Sequence, residues 1–149
     1  KRQAQGGADG RPRTVHYPTD VQPVLDKHCV SCHSGAAPKG KLDLSGSLTT
    51  LFNRSYENLI RRNLVSKVDV TPRDSFIPEV PPLTFGSHRS RMIERIRRQG
   101  SPCNAGLTPE EFVRLVTWID ANAPYYGTYE GKRNLKWRKQ PDFRPEPSS

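Results

Sequence analysis

Residues 19–35, TDVQPVLDKHCVSCHSG, decide how the rest of the chain is read. Thr19 and Gln22 have capping-box spacing, and Val21, Val24, Leu25 and His28 recur on one helical face. Pro23 is tolerable if it falls in the first turn. The pattern predicts a short amphipathic helix that begins near Thr19 and runs directly into Cys29-Val30-Ser31-Cys32-His33. Two cysteines separated by two residues and followed at once by a histidine meet the needs of covalent haem attachment. The sulfurs form thioethers with the two vinyl groups, and the adjacent imidazole reaches the iron from the same side. On this reading Cys29 and Cys32 attach one haem c and His33 is its proximal axial ligand.

Two other chemistries use similar residues. A redox dithiol has the same Cys-x-x-Cys spacing, but the strand-to-helix context of a thioredoxin-like unit is absent. A zinc site could recruit Cys29, Cys32, a neighbouring histidine and Cys103, although zinc normally shows a second paired ligand cluster and the sequence has none.

The 149 residues suffice for one domain with a single core. Only 33% are hydrophobic, while 14 prolines and 11 glycines limit regular structure, so the core is thin and a bound prosthetic group would help fill it. Three cysteines cannot complete a disulfide framework, and two of them lie too close in sequence for an ordinary structural bridge. No run approaches the roughly 18 to 20 apolar residues of a membrane-spanning helix, and no signal sequence precedes the domain. The chain begins at Lys1 in a polar stretch, which suggests a segment of a longer precursor or multidomain protein. Covalent haem attachment takes place outside the cytoplasmic membrane, so a periplasmic or otherwise extracytoplasmic location is expected.

The net charge of +9 would attract acidic surfaces. Its basic residues gather at Arg61 and Arg62, in 89–98 and in 132–139, without the interleaved aromatics of a base-stacking platform. This points away from nucleic acid and towards a redox partner protein with an acidic docking face.

Further along, 1–15 read as a flexible linker, 16–128 as the domain and 129–149 as a basic, loosely packed tail. After His33, a Gly- and Pro-bearing loop can still turn Leu42 and Leu44 inward. A second helix is expected from about Ser55 to near Asn63, burying Tyr56, Leu59 and Ile60. The segment 66–85, with four prolines, reads as irregular and long enough to wrap one side of a cofactor. Ser87 is placed to cap a third helix in which His88, Met92, Ile93 and Ile96 share a face, with Gly100 as its stop. The fourth helix has the fullest signature. Thr108 is its N-cap, Pro109 its first residue and Glu111 the capping-box partner, while Leu107 and Phe112 have the spacing of a hydrophobic staple. Phe112, Leu115, Val116 and Ile119 form its apolar stripe, and it should end at about Asn122.

A helix leading into Cys-x-x-Cys-His, intervening loops and helices, and a closing amphipathic helix that carries an aromatic (107–120, LTPEEFVRLVTWID) resemble the class I cytochrome c superfamily. More narrowly, 20–35 (DVQPVLDKHCVSCHSG), 38–46 (PKGKLDLSG) and 118–133 (WIDANAPYYGTYEGKR) resemble cytochrome modules of planctomycete multidomain proteins, including regions related to the hydrazine synthase alpha subunit. The likeness spans about 16–132. It implies an all-α, cytochrome c-like fold of about four short helices with long loops around a covalently attached haem, and a place among fused or neighbouring domains of a larger parent protein.

In that superfamily the second axial ligand is usually a Met in the loop before the last helix. Here the loop is 100–106, GSPCNAG, and contains no Met; Cys103 stands where a ligand is expected. A thiolate there would favour ferric iron and lower the potential relative to Met ligation. An unreactive half-buried cysteine is the plainer account. His88 comes next, then Met92, whose spacing also suits the core. His16, His28 and the phenols of Tyr125, Tyr126 and Tyr129 are weaker candidates, and a five-coordinate iron stays open. Three functions follow: single-electron transfer within or to a larger redox protein; a haem catalytic or ligand-sensing domain with an open or displaceable sixth position; and a zinc-stabilised interaction module. Of these, an electron-transfer module fits better than a catalyst acting alone.

Overall fold

A computed structural model describes residues 15–68, 81–104 and 106–126. The expected linker (apart from Val15), the expected tail and residues 69–80 of the proline-bearing segment lie outside the described residues. Within them the chain is helical, with four α-helices and no β-strand beyond an isolated bridge between Leu48 and Asn53. None of these helices is long and apolar enough to cross a membrane.

The first element begins earlier than the capping signal suggests. A π-helical turn, Tyr17–Val21, leads into α1, Gln22–His28, with Pro23 in its first turn. Thr19 does not cap; its hydroxyl pairs with the His16 ring at 3.0 Å, and the Asp20 carboxylate takes the His16 backbone N–H at 2.7 Å. Local side-chain to backbone bonds have displaced the expected box. The three apolar positions of the predicted face, Val21, Val24 and Leu25, are buried as expected.

Helix α2, Arg54–Arg61, is capped by Asn53, whose side chain accepts from the Tyr56 N–H at 3.1 Å. It buries Leu59 and Ser55, whereas Tyr56 and Ile60 are half-buried. Helix α3, Arg91–Arg97, is capped by Ser90 rather than Ser87. Ser90 Oγ accepts the Ile93 N–H at 3.4 Å and donates to the Leu64 carbonyl at 2.9 Å; Ser87–Arg89 form a separate 3₁₀ turn. His88 is therefore off α3 and exposed, while Met92, Ile93 and Ile96 share the buried face as expected. Helix α4, Pro109–Asp120, has the expected capping box, with both reciprocal bonds formed, and stops two residues short of Asn122. Its stripe buries Leu115, Trp118 and Ile119, with Phe112 and Val116 packed at the margin.

The core lies where the Tyr17–Val21 turn meets α4. Tyr17 stacks near Trp118 (ring centroids 5.1 Å apart), Tyr56 (5.1 Å) and Tyr125 (5.5 Å), an arrangement in which offset and edge-on aromatic contacts add to area burial. A buried polar network ties α1 to α2. Gln22 Oε1 accepts from Asn53 Nδ2 at 3.0 Å and from Ser55 Oγ, Gln22 Nε2 donates to Asp26 Oδ1 at 2.7 Å and to the Leu44 carbonyl at 3.2 Å, and the Tyr17 phenol bonds Ser55 Oγ at 2.8 Å. Because each of these polar atoms is paired, the network ties the two helices together and leaves none of them buried without a partner.

Candidate functional site

Where α1 ends, the chain winds tightly enough to present the whole Cys-x-x-Cys-His run to one side. Cys29 N–H bonds the Leu25 carbonyl at 2.8 Å, and both Cys32 and His33 N–H return to the Cys29 carbonyl, at 3.1 and 2.9 Å. The following loop then folds back on the motif. Lys39 N–H reaches the Cys32 carbonyl at 2.9 Å, and Leu44 N–H reaches the His33 carbonyl at 2.7 Å. A turn with left-handed Gly40 and Lys41 makes that return possible, and the Arg62 guanidinium holds both of their carbonyls.

This loop orients the imidazole. His33 Nδ1 lies 3.0 Å from the Lys39 carbonyl and 3.2 Å from the Leu42 carbonyl. Both partners can only accept, so Nδ1 carries a proton, and it is Nε2 that is left to offer a lone pair in the neutral ring. That is the arrangement a metal-ligating histidine needs, with the outer ring nitrogen anchored to backbone oxygen.

Cys29, Cys32 and His33 form one wall of a cleft of about 110 Å³. Its remaining surface is mostly apolar and comes from several elements: Leu25 from α1, Leu42 and Leu44 from the returning loop, Leu59 and Leu64 from α2 and its exit, Met92 and Ile96 from α3, and Pro102 and Cys103 from the turn before α4. His28, Lys39 and Arg95 supply its polar edge. A large planar group with two sulfur attachment points, one imidazole contact and an apolar body fits this donor set. Two thiols and a lone-pair nitrogen stand on one wall, with leucine, isoleucine and methionine around them. Burial, then the neighbouring Cys103 and Cys32, pushes the Cys29 thiol up to about 11. A thiol raised in this way is not itself an activated nucleophile. Among the described residues, no three His, Cys, Asp or Glu side chains stand close enough together to hold a metal ion.

The residues named from sequence as candidates for a second axial ligand fall in different places. Cys103, half-buried in the 3₁₀ turn Pro102–Asn104, and Met92, on α3, both line the cleft. His88 does not; it is exposed on its own turn. His16 is buried away from the cleft beside Asp20. His28 lines the cleft, but its Nε2 is engaged by the Glu111 carboxylate at 2.9 Å. Tyr125 lies in the aromatic core, Tyr126 bonds the Leu51 carbonyl, and Tyr129 is outside the described residues.

Sequence reasoning missed three contributors. The Lys39 and Leu42 carbonyls that hold His33 are backbone groups without a side-chain signature. Arg95 sits three residues after Met92, and that helical spacing was the available signal. A comparison with known proteins finds no matching family, curated protein or solved structure.

Proposed function

We propose that this chain is a c-type cytochrome domain that binds one covalent haem through Cys29 and Cys32, with His33 Nε2 as an axial ligand, and that it passes single electrons within or to a larger redox protein. One observation carries the reading. Cys29, Cys32 and a His33 imidazole held in the ligating tautomer stand together on the wall of an apolar cleft to which each helix, or the segment leading into or out of it, contributes. The class I cytochrome c likeness of the sequence points the same way, as does the thin core.

The bound haem would supply a one-electron couple at its iron. The chain's own residues do the rest. The two thiols fix the ring to the end of α1, the Lys39 and Leu42 carbonyls hold the His33 ring, and the leucine-rich wall excludes water. Low dielectric around the site reduces reorganisation on charge change and favours rapid exchange. Cys103 is the proposed ligand on the far side, with Met92 the second candidate. An extracytoplasmic location and an acidic partner belong to the same proposal, the latter resting on the +9 charge.

A pyridine haemochrome spectrum of the protein made in a host with a haem c maturation system is expected to show a c-type signature, with one haem mass retained after denaturation. A colourless protein would overturn the reading. A second reading, a haem domain that binds small ligands, draws on the loop 100–106, where no Met is present. Rapid binding of carbon monoxide to the reduced protein would favour it over electron transfer alone.

A further inference from the structure

A porphyrin of this type carries two carboxylates, and this cleft has few places for them. Most of its lining is apolar, and burying a carboxylate against leucine and isoleucine without a partner is costly. Its cationic side chains are Lys39, Arg95 and, when protonated, His28. His28 is already paired with Glu111, which also takes Lys27 at 2.8 Å. Lys39 lies on the loop whose carbonyl anchors His33, on the wall that carries the attachment cysteines. Arg95 stands on α3, one helical turn from Met92.

Arg95 also faces a second, polar groove of about 410 Å³, lined by Arg91, Glu94, Arg95, Arg98, Ser101 and Cys103. Arg95 and Cys103 line both spaces, so they mark where the apolar cleft opens to the polar surface. Arg91 and Arg95 are like charges at i and i+4, an arrangement that is unfavourable on an isolated helix unless an anion relieves it. Glu94 is turned to Arg98, at 3.6 Å. Among the described residues no acidic side chain forms an ion pair with Arg91 or Arg95.

From this juxtaposition we propose that Arg95 is the positioning residue for the cofactor's carboxylates. Its guanidinium would pair with a porphyrin propionate where the cleft opens to the polar groove. The assignment rests on the haem reading above. A planar guanidinium matches a carboxylate in two parallel hydrogen bonds, which a lysine cannot reproduce. Arg95 is exposed, so the pairing is partly screened and its signature is a shift rather than a loss of binding.

The test is the midpoint potential of the haem-loaded protein followed from pH 4 to 9. An ionising propionate bends this curve, and a guanidinium beside it holds that bend at lower pH. In R95Q the bend is expected to move up by about one pH unit. The potential at pH 7 should also fall, because a positive charge next to ferric iron has been removed. R95K should recover the potential more fully than the bend, and R91Q, which lines the polar groove but not the cleft, should move the bend less than R95Q does; an equal or larger shift in R91Q would overturn the Arg95 assignment. Lys39, His28, Glu94 and Cys103 also face this region. They are the same in every variant, so differences between the curves belong to Arg95. If haem is bound and the R95Q and parent curves superimpose, the Arg95 assignment is overturned alone. A colourless protein overturns the haem reading and the assignment with it.

Discussion

At the scale of single residues, two sulfurs stand out among the candidates for a second ligand in the proposed haem site. Cys103 and Met92 share the cleft with His33, and exposed His88 drops away. With Cys103 as the proposed ligand, Cys103→Ser is expected to change the low-spin ferric signal in electron paramagnetic resonance and shift the Soret band, while Met92→Leu leaves both in place. An unchanged spectrum in Cys103→Ser removes Cys103; a change confined to Met92→Leu passes the role to Met92. Met92→Leu should cost less than about 1.5 kcal/mol of stability, since it conserves volume at a position only 9% exposed. The variant therefore reports on ligation rather than on unfolding. The Cys29 thiol, pushed up to about 11, is protonated at neutral pH.

At the scale of elements, α4 carries the strongest local device and a tertiary one built upon it. The Thr108 hydroxyl accepts the Glu111 N–H at 3.2 Å, and Glu111 Oε2 accepts the Thr108 N–H at 2.9 Å. The same carboxylate binds Lys27 and His28 at the end of α1, next to the attachment motif. Chiefly through Lys27, then Thr108 and His28, the Glu111 carboxyl is lowered from 4.5 to about 2. A carboxyl lowered on folding stabilises the fold fully above its ordinary value, and that contribution disappears as pH falls from about 4.5 towards 2. Urea midpoints for Glu111→Gln should therefore fall less steeply than the parent's across this window. Identical slopes would mean that the cluster does not hold the helices together. Thr108→Ala should cost about 1 kcal/mol at neutral pH, read from the same urea curves.

These elements also show what could be read in advance. The α4 capping box was legible because its partners lie three residues apart and nothing tertiary opposes it. The α3 cap was not. Ser87 and Ser90 offer the same hydroxyl; the Leu64 carbonyl, 26 residues from Ser90, holds the latter, while the Asp120 carboxylate takes Ser87. Thr19 misled for a similar reason, since His16 and Asp20 form a local turn that competes with the box. Of the site, the cysteines and His33 were visible as a contiguous motif. The carbonyls that orient His33 and the bond from Glu111 to His28, 83 residues away in sequence, belong to the fold alone.

At the scale of the whole molecule, two regions divide the work. The aromatic cluster around Tyr17 and Trp118 and the Gln22 network hold α1, α2 and α4 without help from the cleft. The leucine-lined cleft is different, because its walls have each other only in part and gain from whatever covers them. A haem-free double variant, Cys29→Ser with Cys32→Ser, is thus expected to remain helical by circular dichroism but to lose on the order of 3 kcal/mol in urea, at about 25 cal/mol for each Å² of apolar surface left wet. It should also bind an apolar dye such as anilinonaphthalene sulfonate. An unchanged midpoint and no dye signal would show that the cleft closes unaided.

The Tyr17 N–H bonds the Tyr125 carbonyl at 3.0 Å, so the described domain is entered and left at nearly one point. A unit closed in this way can be carried by a longer polypeptide as a side excursion, with the host's path resuming almost where it broke off. Traction on the flanking chain would fall first on that clasp and the ring cluster behind it, sparing the end of α1. The attachment site would then be mechanically insulated from the polypeptide that bears it.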